Sequence, residues 1–146
     1  MEDWSNEIVD NVFLGSVRAT QSGPEMDQKG ITHILSLGEQ KLQSPSNLVD
    51  YLFIDIDDHE LAEIYPHLPT AIAFIENALA SGGKVLVHCM AGSSRSGSCV
   101  IAYIMVTQKL PYFDALRQVQ AKRSLVRPNL AFGQQLIKFE QDLALQ

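Results

Sequence analysis

One thiol and one guanidinium stand six residues apart in the segment His88-Cys89-Met90-Ala91-Gly92-Ser93-Ser94-Arg95-Ser96. Everything between them is small or uncharged. The apolar run Val85-Leu86-Val87 precedes the segment and reads as a buried strand; Val100 to Val106 follows it and reads as a buried helix. A strand, a tight turn and a helix N-terminus in that order make an anion site. Gly92 and the serines let successive N–H groups turn inward, and the helix start adds unpaired N–H groups and the positive end of its dipole. Arg95 offers a planar fork matched to two phosphate oxygens. Cys89, at the bottom of that positive bowl, is favoured as thiolate and faces the bound phosphorus as a nucleophile.

Hydrolysis of a phosphate monoester also needs a proton for the departing alkoxide, because serine or tyrosine oxygen leaves badly as an anion. The acidic stretch Asp57-Asp58-His59-Glu60 is the candidate source. It follows an apolar strand, Tyr51 to Ile56, expected beside the central one. Cys99, one helical turn beyond Arg95, reads as a small buried core residue. No His/Cys/Asp cluster has metal-ligand spacing, so neither metal nor cofactor is expected.

The pattern His-Cys-x-x-Gly-x-x-Arg-Ser resembles the signature of the cysteine-dependent protein tyrosine phosphatases, and most of all their dual-specificity branch. The resemblance extends over nearly the whole chain, through Val12-Phe13-Leu14-Gly15-Ser16, Ile31-Thr32-His33-Ile34-Leu35, Ala102-Tyr103 and Arg127-Pro128-Asn129. It implies that Cys89 is the nucleophile and Arg95 the phosphate ligand, with Met90, Ala91, Gly92, Ser93 and Ser94 lining the phosphate loop. It implies that Asp58, 31 residues ahead of Cys89, is the general acid, with Asp57 the alternative. Ser96 would stabilise the thiolate as it leaves the phosphoenzyme, a helix-cap serine being the plainer role. His88 would fix the loop by hydrogen bonding, and Asn129 would tie its connector to the catalytic loops or simply cap the last helix. Lys122, Arg123 and Arg127 would lie near the pocket rim, where they could favour a second phosphate; the plainer expectation is a solvated face with Arg123 salt-bridged internally.

The implied activity is dephosphorylation of phosphotyrosine and phosphoserine or phosphothreonine in proteins, through a cysteinyl-phosphate. At this length a pocket-deepening loop is expected to be missing, which leaves a shallow pocket. Two alternatives stand beside it. One is a phosphatase of the same fold acting on a phosphoinositide or an RNA 5′ phosphate, which Met90, Ala91, Ser93 and Ser94 argue against, being uncharged. The other is a phosphoprotein-binding module without catalysis, which the presence of nucleophile, arginine, acid and serine argues against.

Composition narrows the setting. The 146 residues suit one domain, 1–146, and are 46% hydrophobic and 19% charged. A net charge of −6 disfavours nucleic acid and anionic membrane as partners; the partner the resemblance implies is a phosphorylated protein. No apolar run approaches the ~20 residues of a spanning helix, and the acidic start is no signal peptide. Two cysteines make no disulfide framework, and a working thiol needs a reducing compartment, so a cytoplasmic or nuclear setting is expected. Nothing in the sequence sets an oligomeric state.

The elements that must hold the segment follow from periodicity and breakers. Ile8 to Gly15 reads as a strand or hairpin turning at Asp10-Asn11, Pro24 to Lys29 as a short helix closed by Gly30, and Ile31 to Leu37 as a buried strand. Glu39 to Asp50 reads as a surface loop. Pro66 and Pro69 open a helix with Ile72, Ile75 and Leu79 on one face, ended by Gly82-Gly83. After the long helix from Arg95 to Gln108, Pro111 starts another with Ala115, Leu116 and Val119 inward, and Asn129 starts the last, striped by Phe132, Leu136, Phe139 and Leu143. Strands alternating with helices predict an α/β domain on a largely parallel sheet, with ligand binding at the carboxyl end of the central strand. The resemblance implies four or five strands and about six helices.

Overall fold

The computed structural model describes residues 4–41 and 48–146. In chain order the elements are β1 (Ser5–Val9), β2 (Val12–Gly15), α1 (Val17–Gln21), α2 (Gly23–Lys29), β3 (His33–Gly38) and β4 (Asp50–Asp55). A single 3₁₀ turn (Tyr65–His67) then leads into α3 (Leu68–Ala80), β5 (Val85–His88), α4 (Arg95–Gln108), α5 (Tyr112–Lys122) and α6 (Leu130–Ala144). The five strands form one sheet in the order β1-β2-β5-β3-β4, and only the β1–β2 pair is antiparallel.

The expected hairpin turns at Asn11, whose φ of 69° is the left-handed conformation such a turn requires. The three inner strands are buried on both faces, which is why they read as largely apolar runs, broken in β3 by the buried Ser36. Alternate residues divide between two cores. Val12, Leu14, Leu35, Leu37, Val85 and Val87 face the larger one, which α3 to α6 complete through Ile75, Ile101, Ile104, Val119, Phe132 and Leu136. Phe13, Ile34 and Leu86 face the smaller one with Ala19 of α1 and Met26 of α2.

Sequence and structure differ in a few places. The five-residue α1 carries no periodic stripe, and the pattern did not reveal it. The helix expected around Pro66 is split into the 3₁₀ turn and α3. The middle of the loop from Glu39 to Asp50, residues 42–47, lies outside the described residues. The strand that leads into Asp57-Asp58 does not lie beside the central one, where the sequence suggested it would: β3 stands between β4 and β5. The route by which its loop returns to the cysteine is therefore a matter for the site itself.

Candidate active site

β5 is the middle strand and ends at His88, so Cys89 leaves the carboxyl edge of the sheet at its centre. The chain turns through Met90 to Ser94 and enters α4 at Arg95. Gly92 makes this turn possible in two ways. Its φ is +70°, and a Cβ there would come within 2.5 Å of the Gly15 carbonyl and 2.8 Å of the Arg123 guanidinium. Among the described residues, the N–H groups of Met90 to Ser94 donate to no backbone carbonyl. They are free for an anion, as a nest requires.

The loop is held from outside. The Val17 N–H donates to the Met90 carbonyl (3.0 Å) and the Arg127 N–H to the Ser93 carbonyl (3.3 Å). Ser93 Oγ donates to the Leu125 carbonyl (2.9 Å) and Ser98 Oγ to the Ser94 carbonyl (2.6 Å). Arg123 does the most. Its Nε donates to the Gly92 carbonyl (3.0 Å), one terminal nitrogen to the Ala91 carbonyl (3.1 Å) and the other to Asn6 Oδ1 (2.8 Å). Turning those carbonyls toward Arg123 leaves the alternating N–H groups for the bowl. Burial pulls the Arg123 guanidinium below its ordinary value, and the charges of Cys89 and Glu25 push the other way.

This corrects two expectations. Lys122, Arg123 and Arg127 do not form one rim cluster, because Arg123 is buried beneath the loop while Lys122 and Arg127 are exposed. Nor is Arg123 salt-bridged: among the described residues its partners are two carbonyls and an amide oxygen.

Cys89 Sγ lies 2.9 Å from Ser96 Oγ, with both residues buried. A thiolate there accepts the serine O–H. The helix-cap role fails for Ser96, since the residue at the helix cap is Ser94 and Ser96 sits inside the first turn of α4. Arg95 is 6% exposed. Its Nη1 donates to Glu39 Oε1 (2.9 Å) and to the Ile56 carbonyl (3.0 Å). Nε is buried without a partner among the described residues. The guanidinium is thus anchored at one corner and keeps the opposite edge, Nε with Nη2, for a bidentate oxyanion. Glu39 stands at the end of β3, and no local sequence signal marked it.

His88 is buried, and its Nδ1 lies 3.1 Å from the Cys89 carbonyl. Burial holds its imidazole below the ordinary value of 6.5, so the neutral ring is favoured. Cys99 is fully buried in the core, and desolvation with the nearby Cys89 pushes its thiol up to about 12. Both thiols are free.

The Asp57-Asp58 loop is tied to the phosphate loop in spite of the intervening strand. Ile56, just after β4, hands its carbonyl to Arg95. Asn129 Nδ2 donates to Asp58 Oδ1 (2.9 Å) and to the His59 carbonyl (3.4 Å), while the Asn129 backbone N–H donates to Ser94 Oγ (2.9 Å). Asn129 also caps α6, its Oδ1 accepting the Phe132 N–H (2.8 Å). One residue thus makes both the helix cap and the tie between the two loops. Gln135, nearly two turns further along α6, accepts the N–H groups of Ile64 (2.7 Å) and Tyr65 (3.0 Å) and donates to the Ala62 carbonyl (3.0 Å). Sequence reasoning missed it, since a half-buried glutamine in an amphipathic helix looks like any solvent-facing one. Asp57 has no such tie among the described residues.

A cavity of about 310 Å³ opens over this arrangement, lined by Val17, Gly38, Glu39, His88, Cys89, Met90 and Arg95 among others. Neither Asp57 nor Asp58 lines it. The catalytic-domain model of the dual specificity phosphatases matches residues 12–142. The chain belongs to the dual specificity phosphatase family. Dual specificity protein phosphatase 22-A of Danio rerio is 35% identical over 140 residues, covering 96% of this chain and 67% of that protein. MAP kinase phosphatase with leucine-rich repeats protein 3 of Dictyostelium discoideum is 38% identical over 139 residues, but the chain spans only 16% of its length. The crystal structure of the human tyrosine phosphatase-like serine/threonine/tyrosine-interacting protein superposes with a TM-score of 0.91 at 36% identity, covering 97% of this chain and 98% of that one. As a dual specificity phosphatase domain, the chain is a protein phosphatase acting on phosphotyrosine and phosphoserine or phosphothreonine. No helix among the described residues is long and apolar enough to cross a membrane.

Proposed function

We propose that this dual specificity phosphatase domain works in two displacements at phosphorus, with each role assigned as follows. Cys89 Sγ attacks the phosphorus of a phosphorylated side chain. The bond to the ester oxygen breaks, and a cysteinyl-phosphate forms. The Nε–Nη2 edge of Arg95 and the N–H groups of Met90, Ala91, Gly92, Ser93 and Ser94 hold the three non-bridging oxygens, which carry the charge of the transition state. Asp58 gives its proton to the departing oxygen. Water then attacks the phosphoenzyme and releases inorganic phosphate, and Ser96 donates to the sulfur as it leaves as thiolate. His88 stays neutral beneath the loop and takes no proton.

The observation that carries this reading is the pairing of Cys89 Sγ with Ser96 Oγ at 2.9 Å beside a half-engaged Arg95 fork. The choice of Asp58 over Asp57 is supported by the Asn129 tie. The positive charge comes from the protein itself, so no metal enters any step. A low-potential compartment, cytoplasm or nucleus, suits a working thiol.

Turnover of phosphotyrosine, phosphothreonine and phosphoinositide substrates, measured side by side, tests the proposal. Phosphotyrosine and phosphothreonine peptides are both expected to be hydrolysed, and faster than phosphoinositide. Preferential turnover of phosphoinositide would overturn it.

A further inference from the structure

Eight large hydrophobic side chains are exposed among the described residues, and four of them sit on the segments that build the catalytic bowl. Met90, 62% exposed, follows the nucleophile and lines its cavity. Leu125, 50% exposed, supplies the carbonyl that holds Ser93. Leu130, 75% exposed, follows Asn129, which bonds both Ser94 and Asp58. Leu61, 85% exposed, lies two residues past His59, whose carbonyl Asn129 also holds, and its own N–H donates to His59 Nδ1 (3.0 Å). Hydrogen bonds therefore tie together the three stretches that carry these four apolar side chains: the loop after β4, the phosphate loop and the connector into α6. Scattered exposed leucines need no explanation, but apolar side chains gathered around a functional site do.

Charge at the same rim narrows what covers it. Asp57, Asp58, Glu60 and Glu63 are exposed on the segment that carries Leu61. The net charge is −6. These four carboxylates outnumber the exposed Lys122 and Arg127 on the stretch that carries Leu125 and Leu130, so an anionic membrane surface, or a peptide whose phosphate is flanked by further acidic groups, is disfavoured there. Arg123, which could have answered a second phosphate, is spent beneath the loop.

We propose that Leu61, Met90, Leu125 and Leu130 form an apolar rim that selects phosphopeptides with hydrophobic residues beside the phosphorylated one. This rests on the phosphatase reading above and names its substrate class. The phosphate enters the bowl, and the flanking side chains lie on the rim, where they leave water. The contact with the flanks belongs to binding rather than to the transition state at phosphorus, so its effect falls on KM.

The test uses two matched phosphotyrosine peptides, one with leucine on both sides and one with serine, together with p-nitrophenyl phosphate, which has no flanks. The leucine-flanked peptide is expected to show kcat/KM about tenfold higher, mainly through KM. In Leu61→Ser and Leu130→Ser the ratio between the peptides should fall severalfold, whereas Leu145→Ser, exposed near the end of the chain, should keep it. Equal kcat/KM for the two wild-type peptides overturns the rim. So does a loss in the rim variants that is equal for both peptides and the aryl phosphate, since that would place the damage in the bowl. Binding of the wild type, but not of Leu61→Ser, to phosphatidylserine vesicles would overturn it in favour of a membrane contact. No turnover of p-nitrophenyl phosphate by the wild type would instead sink the phosphatase reading itself.

Discussion

Asn129 donates from its side-chain amide to the carboxylate of Asp58 at 2.9 Å, and from its backbone to Ser94 of the phosphate loop at the same distance. The Asp57-Asp58 loop and the phosphate loop start from strands that are not neighbours. A single residue at the head of α6 nevertheless fixes one against the other. With Gln135 holding the far end of the same loop, Asp58 is seated by α6 before substrate arrives. Such pre-set geometry is what general acid catalysis needs.

The acid is tested by leaving-group dependence. Asp58→Asn should lower kcat by ~10²–10⁴ for phenol-like and alkyl leaving groups and far less for activated aryl phosphates. It should also abolish the alkaline limb of the pH–rate profile. Asn129→Asp keeps an oxygen to cap α6 but sets a second carboxylate against Asp58. It should melt close to the wild type, as caps go, and still lose turnover selectively for poor leaving groups. If Asp57→Asn shows the selective loss and Asp58→Asn does not, Asp57 is the acid.

The two thiols should differ sharply. Cys99 is buried in the core with its thiol pushed up to about 12, so it stays protonated and unreactive at neutral pH. Iodoacetate should label Cys89 alone, and phosphate or vanadate should slow the labelling. First labelling of Cys99, or no protection by either anion, would contradict the bowl.

Arg123 and Arg127 should separate by role. Arg123→Met leaves the Ala91 and Gly92 carbonyls without their donors and should cost about 2 kcal/mol or more of stability, together with a large loss of vanadate affinity. Arg127→Ala, at an exposed position, should change stability by less than ~0.5 kcal/mol. Chemical denaturation and vanadate titration read both. Equal, small effects from the two variants would mean that the loop keeps its shape without Arg123.

His88 ties stability to acid. Its folded value lies below 6.5 because burial disfavours the charged ring. Between the two values the unfolded chain binds the extra proton, so stability rises with pH there. The contribution of His88 is complete above about 6.5 and is lost as pH falls through the lowered folded value. His88→Gln should therefore have a shallower decline of stability below about pH 6.5 than the wild type, by urea denaturation across that range. Parallel declines would show that the ring is not held neutral.

The parts legible in the sequence are those governed by local rules. The β-branched runs gave β3 and β5, the proline and glycine punctuation gave α2 and the start of α5, and the cysteine-arginine spacing gave the bowl. What escaped depends on partners distant in the chain. Glu39 meets Arg95 across 56 residues, Arg123 meets Asn6 across 117, and Gln135 meets Ile64 across 71. No periodicity records such pairings. Arg123 misled for the same reason: in sequence it is one cation among three, and only the turn at Gly92 shows that it is enclosed.

The proposed mechanism turns on a covalent phosphoenzyme at Cys89. Enzyme mixed with a phosphotyrosine peptide and quenched in acid during turnover, then digested and sequenced by mass spectrometry, reads it directly. A phosphoryl group is expected on the Cys89 thiol, accumulating to a higher level in Ser96→Ala, whose thiolate leaves without its donor, and absent in Cys89→Ser along with turnover. A phosphoryl group on another residue, or turnover that persists in Cys89→Ser, would contradict it.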